Sequence, residues 1–229
     1  MIKLISYTID EFFNDLKAGS INVDEDFDNE FGMQFELGIR LRNALAQNGF
    51  AAQGYKVYFE KNIKNICCKN NLAYKNNTLK KEIDLLVAKT SSGQSRQLEE
   101  LYAIELKFPR NGQYPEQMYS FVKDLAFIAQ LRANYNFKGC WSVVLVDDDN
   151  FCKTTNRKTT KAIYTYFRED KNIGSNLKKI GGVIKKPTGQ YKYQVPPFIT
   201  IPIGYEKTVQ WTPIKRINQN NLHYYIIQV

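Results

Sequence analysis

Two apolar, strand-like segments, residues 82–88 (E-I-D-L-L-V-A) and 101–107 (L-Y-A-I-E-L-K), carry charged side chains where a buried strand has no use for them. Both are rich in Ile, Leu and Val, the composition of strands covered on both faces in the middle of a sheet. Side chains alternate along a strand, so Glu105 and Lys107 share one face while Ile104 and Leu106 take the other. Asp84 is expected to turn outward, away from Ile83 and Leu85 on either side of it. If the two strands pair, Asp84, Glu105 and Lys107 meet on one surface. Cross-strand Asp–Lys and Glu–Lys pairs on an exposed hairpin are the ordinary explanation for such residues. Three charged groups on a central sheet demand a stronger one.

Phosphodiester hydrolysis uses such a trio. Two carboxylates bind Mg²⁺, or Mn²⁺ in its place, through hard oxygen ligands, and the metal offsets the charge that builds up on phosphorus. A neighbouring ammonium steadies the attacking water or helps to deprotonate it.

The residues resemble the PD-(D/E)xK nuclease superfamily over residues 30–146, in the order helix, strand, strand with the Asp, strand with Glu-x-Lys, helix, strand. The resemblance implies the restriction-endonuclease-like fold, an α/β domain with a mixed central β-sheet flanked by helices. It also implies Mg²⁺-dependent cleavage of DNA. By position it makes Asp84 and Glu105 metal ligands, the backbone carbonyl of Leu106 a third, and Lys107 the catalytic lysine. Ile83 stands where the proline of the family name would be. In the superfamily the preceding helix often contributes another acid, and Glu36 in Q-F-E-L-G-I-R-L is the best match; an i, i+4 ion pair with Arg40 is the alternative. Gln117, with Phe121 four residues later, resembles the Gln–aromatic pair that borders the active site in RecB-like members, with Phe in place of the usual Tyr. A plain surface glutamine is the other reading.

The histidine count removes several competing classes. His223 is the only histidine in the chain, so nucleases built on paired histidines cannot be assembled. Cys67, Cys68, Cys140 and Cys152 show no C-x-x-C spacing, which argues for reduced thiols rather than zinc ligands. Gly181-Gly182 is not followed by the G-K-[ST] of a P-loop, and no nucleotide cofactor is implied. The run Asp147-Asp148-Asp149 is adjacent in sequence, so its carboxylates cannot all face one ion; such clusters cap helices and close turns. The first ten residues have too short an apolar run for a signal peptide, and no apolar stretch is long enough to span a membrane, so the cytoplasm is expected.

The formal net charge of +9 is unevenly placed. Residues 1–60 hold ten acids and five bases, whereas residues 150–192 hold eleven bases against Glu169 and Asp170. That basic stretch, interleaved with Tyr164, Tyr166, Phe167, Tyr191 and Tyr193, suits a phosphate backbone with aromatic platforms for bases. Lys178, Lys179, Lys185 and Lys186 are the candidate phosphate contacts. A lysine-rich solvated surface from an AT-rich genome is the competing account. DNA is the expected partner, with RNA and a homodimer left open.

Hydrophobic periodicity places helices at 9–17, 29–48 and 115–133 and strands at 55–60, 82–88, 101–107, 140–146, 199–203 and 222–229, with a helix or strand at 160–167. In the second helix Phe31, Phe35, Leu37, Leu41 and Leu45 read as the packed stripe. The chain divides into a nuclease-like core, residues 1–150, and a basic, strand-rich extension, residues 151–229, packed on the same domain. A restriction or other defence endonuclease is the first expectation. The alternatives are a repair or junction-resolving nuclease and a non-catalytic nucleic-acid-binding protein that keeps the nuclease fold.

Overall fold

A computed structural model describes residues 1–70, 80, 82–91, 97–110, 112–153, 162–169, 177–187, 197–215 and 221–229. It has the α/β architecture expected, with a mixed six-stranded sheet between two helical layers. In chain order the elements are α1 (Ile2–Ala18), α2 (Glu30–Gln47), β1 (Tyr55–Asn62), α3 (Ile63–Lys69), β2 (Glu82–Thr90), β3 (Leu98–Lys107), α4 (Tyr114–Tyr135), β4 (Gly139–Val146), β5 (Gly182–Lys185), β6 (Phe198–Ile201), β7 (Thr212–Ile214) and β8 (Leu222–Gln228). The sheet order is β1-β2-β3-β4-β8-β7, and β5 and β6 form a separate two-stranded ribbon.

β3 and β4 are the one parallel pair in this sheet; β1–β2, β2–β3, β4–β8 and β8–β7 are antiparallel. A parallel pair needs a crossover. α4 supplies it, and so its inner face is laid across the strands that carry the charged residues. Both faces of the sheet are covered. Leu85, Val87, Ile104 and Leu106 pack with Ile9, Phe12 and Phe13 of α1 and Leu37 and Leu41 of α2. Leu86, Ala88 and Ala103 pack on the other side with Phe121, Val122, Leu125 and Ile128 of α4 and Ile63 and Ile66 of α3. Asp84 therefore does not turn outward to solvent. It is buried on the α4 side, because β2 has a helical layer over each face.

Three other sequence expectations change. α1 begins at Ile2 rather than at residue 9, and its buried stripe Ile5, Ile9, Phe12, Phe13 and Leu16 spans the whole helix. No side chain caps its N-terminus, so the usual start signal is missing; its end at Gly19, in the left-handed region at φ 75°, is as expected. The second difference is α3, whose seven residues fall in the stretch between the strands at 55–60 and 82–88, where periodicity places no element. The third is the face that α2 turns inward. Leu37, Leu41 and Leu45 are buried, but Phe31 and Phe35 are exposed, and Met33, Gln34 and Gly38 face the sheet instead. A Cβ on Gly38 would fall 2.2 Å from Phe59 Cζ and 3.2 Å from Leu85 Cδ2. The helix rests closely on β1 and β2 at that point, and Gln34 is pressed into the sheet one turn earlier.

The chain beyond residue 150 contributes to both layers. β8 pairs with β4, and Phe13 stacks on Tyr224 of β8 with ring centroids 3.8 Å apart. The ribbon buries Ile184, Ile199 and Ile201 in the core on the α4 side. Among the described residues no helix is long and apolar enough to cross a membrane.

Candidate functional site

Strand pairing brings the sequence-identified acids together. Leu85 is opposite Ile104 and Leu86 opposite Ala103, and the same antiparallel register carried one residue further sets Asp84 across from Glu105. The backbone N–H of Asp84 donates to Glu105 Oε1 at 3.4 Å, and the N–H of Leu106 donates to Asp84 Oδ2 at 2.8 Å. Both carboxylates are thereby oriented by the sheet itself. Lys107 lies on the same face, two residues along β3 from Glu105.

α4 adds a third acid. Asp124 is fully buried and sits in the apolar stripe of the helix with Phe121, Leu125 and Ile128. One of its oxygens lies 3.3 Å from Lys80 Nζ and the other 3.6 Å from Lys107 Nζ. The Lys80 ammonium also contacts Glu105 Oε2 closely and stands 3.5 Å from Asp84 Oδ1. Three carboxylates, one each from β2, β3 and α4, thus converge on one ammonium.

Lys107 is held from the opposite side. Its Nζ donates to Glu30 Oε1 at 2.6 Å and to the carbonyl of Leu106 at 2.9 Å. Glu30 Oε2 in turn accepts from the Phe108 N–H at 3.3 Å. Glu30 is the first residue of α2, whose N-terminus is fixed by Asn29 accepting from the Gly32 N–H at 2.9 Å. Gln34, one turn on, donates to the Asp84 carbonyl at 2.6 Å and to Glu60 Oε1 at 2.8 Å, which ties α2 to β1 and β2.

Charge decides the protonation of this cluster. Burial pushes the Glu105 carboxyl up and Asp84 adds to the rise; Lys80 opposes both, and the net result lies well above the ordinary carboxylate range. For Asp124 the outcome is the reverse, because Lys107 and Lys80 outweigh burial and hold its pKa below the usual value. Burial alone would depress both lysines, but Asp124 and Glu105 raise Lys80, and Asp124 and Glu30 raise Lys107. Four carboxylates (Glu30, Asp84, Glu105 and Asp124) meet two ammonium groups (Lys80 and Lys107), so with all ionised the cluster holds an excess of two negative charges.

The other sequence candidates fall elsewhere. Glu36 is not in this cluster: it pairs with Arg40 at 2.8 Å, and Arg40 reaches Asp15 at 2.6 Å, in a groove between α1 and α2. Because the face of α2 that meets the sheet is the one carrying Gln34 and Gly38, the acid this helix brings to the site is Glu30. Gln117 is half-buried and lies two turns before Asp124 on the same face of α4. The carbonyl of Leu106 is engaged by Lys107. Asp148 caps the short turn Asp149–Phe151 and accepts from Tyr114 Oη, while Asp147 pairs with Arg110 and Asp149 with Lys153. The acidic run therefore closes a turn.

The oxygen donors gathered here suit a hard divalent cation. Asp84 Oδ1, Glu105 Oε2 and Asp124 Oδ1 all lie about one position; Asp84 Oδ2 and Glu105 Oε1 accept from backbone N–H groups, and Asp124 Oδ2 stands 3.6 Å from Lys107 Nζ without a hydrogen bond. At that position the structure puts the ammonium of Lys80. Among the described residues no group of three or more His, Cys, Asp or Glu side chains is spaced to hold a metal ion as it stands.

The basic region is only partly as the sequence suggested. Lys178, Lys179 and Lys185 are exposed; Lys186 is half-buried at the end of the ribbon, its N–H donating to the Pro197 carbonyl at 2.9 Å. Arg157, Lys158, Lys161, Lys171, Lys192, Tyr191 and Tyr193 lie outside the described residues. Phe167 is core, and Tyr164 is covered by the Arg168 guanidinium 3.7 Å from its ring centre, so neither offers a free platform. The ribbon itself exposes two large apolar residues: Val183 and Phe198 share its outer face with Lys185 and Thr200.

Compared with protein-family models, with curated proteins and with solved structures, the chain matches none.

Proposed function

We propose that this chain is a Mg²⁺-dependent nuclease with a restriction-endonuclease-like core, acting on DNA. The observation that carries the reading is the convergence of Asp84, Glu105 and Asp124 on one position, taken by the Lys80 ammonium, beside Lys107. Isolated buried carboxylates are costly, and an excess of negative charge inside a fold is retained where a cation offsets it. When bound, Mg²⁺ would supply a Lewis acid for the phosphate and a more acidic water. Asp84, Glu105 and Asp124 would hold it. Lys107, fixed by Glu30 and the Leu106 carbonyl, would place a positive charge next to the reacting phosphate.

The exposed Lys178, Lys179 and Lys185, with Lys186, are proposed to contact the DNA backbone. Changing all four to Glu is expected to weaken DNA binding and to flatten the slope of log K against log salt by about 3–4. A slope equal to that of the wild type would return these lysines to the solvated surface.

One observation favours a second reading. Because Lys80 already neutralises part of the carboxylate cluster, the fold could serve as a non-catalytic nucleic-acid-binding protein. Incubating the protein with plasmid, single-stranded DNA and RNA in Mg²⁺ or Mn²⁺ separates the two. Cleavage of DNA that stops on chelation supports the nuclease; binding without cleavage of any substrate supports the second reading.

Within the nuclease reading, Glu30 and Glu36 are expected to differ. Glu36→Gln breaks a half-exposed pair and should change stability by less than about 1 kcal/mol, with no effect on metal dependence. Glu30→Gln frees one side of Lys107 and should slow cleavage. Titrating Mg²⁺ against cleavage rate checks both. A Glu36→Gln curve shifted more than that of Glu30→Gln would reverse the assignment.

A further inference from the structure

We propose that Lys80 is an internal occupant of the cation position, and that a divalent ion binds by displacing its ammonium from Asp84, Glu105 and Asp124. The proposal rests on the reading of these acids as metal ligands. Its basis is the fit of the ammonium. A lysine head has three N–H donors, and here three carboxylate oxygens, one from each acid, surround it. Lys107 has a separate set of partners in Glu30, the Leu106 carbonyl and the second oxygen of Asp124, so the two lysines are not interchangeable.

Lys80 is also placed so that it can leave. It precedes β2 instead of belonging to it, and its ammonium sits at the end of a flexible four-carbon stem. Withdrawal of the side chain breaks no hydrogen bond of the sheet. Lys107 lies within β3, and its head is tied to the carbonyl next to it.

Charge supplies the direction of the exchange. With all four carboxylates ionised, Lys80 and Lys107 leave the cluster an excess of two negative charges, whereas a divalent ion in the place of Lys80 removes one of them. Without Lys80 or a metal the three acids would face one another with only Lys107 to offset them, which is strongly unfavourable. Lys80 thus holds the acids in position until the ion arrives and competes with it for the same oxygens.

Mn²⁺ binding is the test, read by the loss of the free-ion electron paramagnetic resonance signal, on the wild type, Lys80→Met and Lys80→Gln. Both variants keep a side chain of similar length without the charge. They are expected to bind Mn²⁺ at least about tenfold more tightly than the wild type and to show a larger rise in melting temperature when Mn²⁺ is added. If either variant is unfolded without metal, recovery of its far-UV circular dichroism on adding Mn²⁺ is the same result. Affinity equal to or weaker than that of the wild type, or no binding by any of the three, overturns the proposal. Tighter binding by the variants, with no DNA cut by any of the three proteins, would leave the displacement standing and remove the nuclease reading. Unchanged binding in variants of a protein that does cut DNA would do the opposite.

Discussion

Replacing Asp124 by alanine is expected to destabilise the metal-free protein by about 3–5 kcal/mol, the cost of leaving buried charges without their partner. Asp124 is fully buried and lies between Lys80 and Lys107, both largely withdrawn from solvent. Its removal leaves both ammonium groups short of negative charge in a weakly screening environment. For a domain of this size the melting temperature should fall by roughly 6–20 °C. Asp124→Asn, which keeps the volume and loses the charge, should lose a comparable amount, so the effect can be assigned to charge and not to a cavity. Thermal and urea melts of the two variants check this. A loss of less than about 1 kcal/mol in both would mean that Asp124 does not hold the two lysines.

The second large effect separates the roles of two residues on the same strand face. Glu105→Gln should lose both divalent-ion binding and cleavage, because its Oε2 is one of the three oxygens directed at the cation position. Lys107→Met should keep the binding of Mn²⁺ and still lose cleavage by about 10²–10⁴-fold, the range for a positioned proton-transfer or electrostatic group. Loss of ion binding in Lys107→Met would make Lys107 a support for the carboxylates instead of a participant in the reaction.

The strand half of this cluster was legible in the sequence because alternation is strict: an acid in one apolar strand and Glu-x-Lys in the next have one way to meet. The sheet bears this out through the Asp84–Glu105 and Asp84–Leu106 hydrogen bonds. The helical half was legible only in part. Asp124 interrupts the apolar run Phe121, Val122, Leu125, Ile128 and was a signal that went unused, since a lone acid on a core-facing stripe needs a partner inside. Glu36 is the best match to the helical acid that the resemblance implies, and Phe31 and Phe35 read as core. They are exposed, and a glutamine and a glycine take the inner face, one for its amide and the other for the close approach of Phe59. Hydrophobicity alone could not reveal that. Lys80 carried no local signal, because its role depends on three elements meeting in space. Most helices and strands followed from periodicity, and the mixed sheet flanked by helices was what the resemblance implied, whereas α3 and the start of α1 were not legible, one being only two turns long and the other lacking a side-chain cap.

The central claim, that Asp84, Glu105 and Asp124 form a cation site for phosphodiester hydrolysis, is tested most directly by cleavage of plasmid DNA in Mg²⁺ by the wild type and Glu105→Gln side by side. Folding of both is checked by circular dichroism. Chelator-sensitive cleavage by the wild type, reduced by at least about 10²-fold in the folded variant, is the predicted result. A wild type that cuts no DNA, or a Glu105→Gln variant that cuts at the wild-type rate, would contradict it.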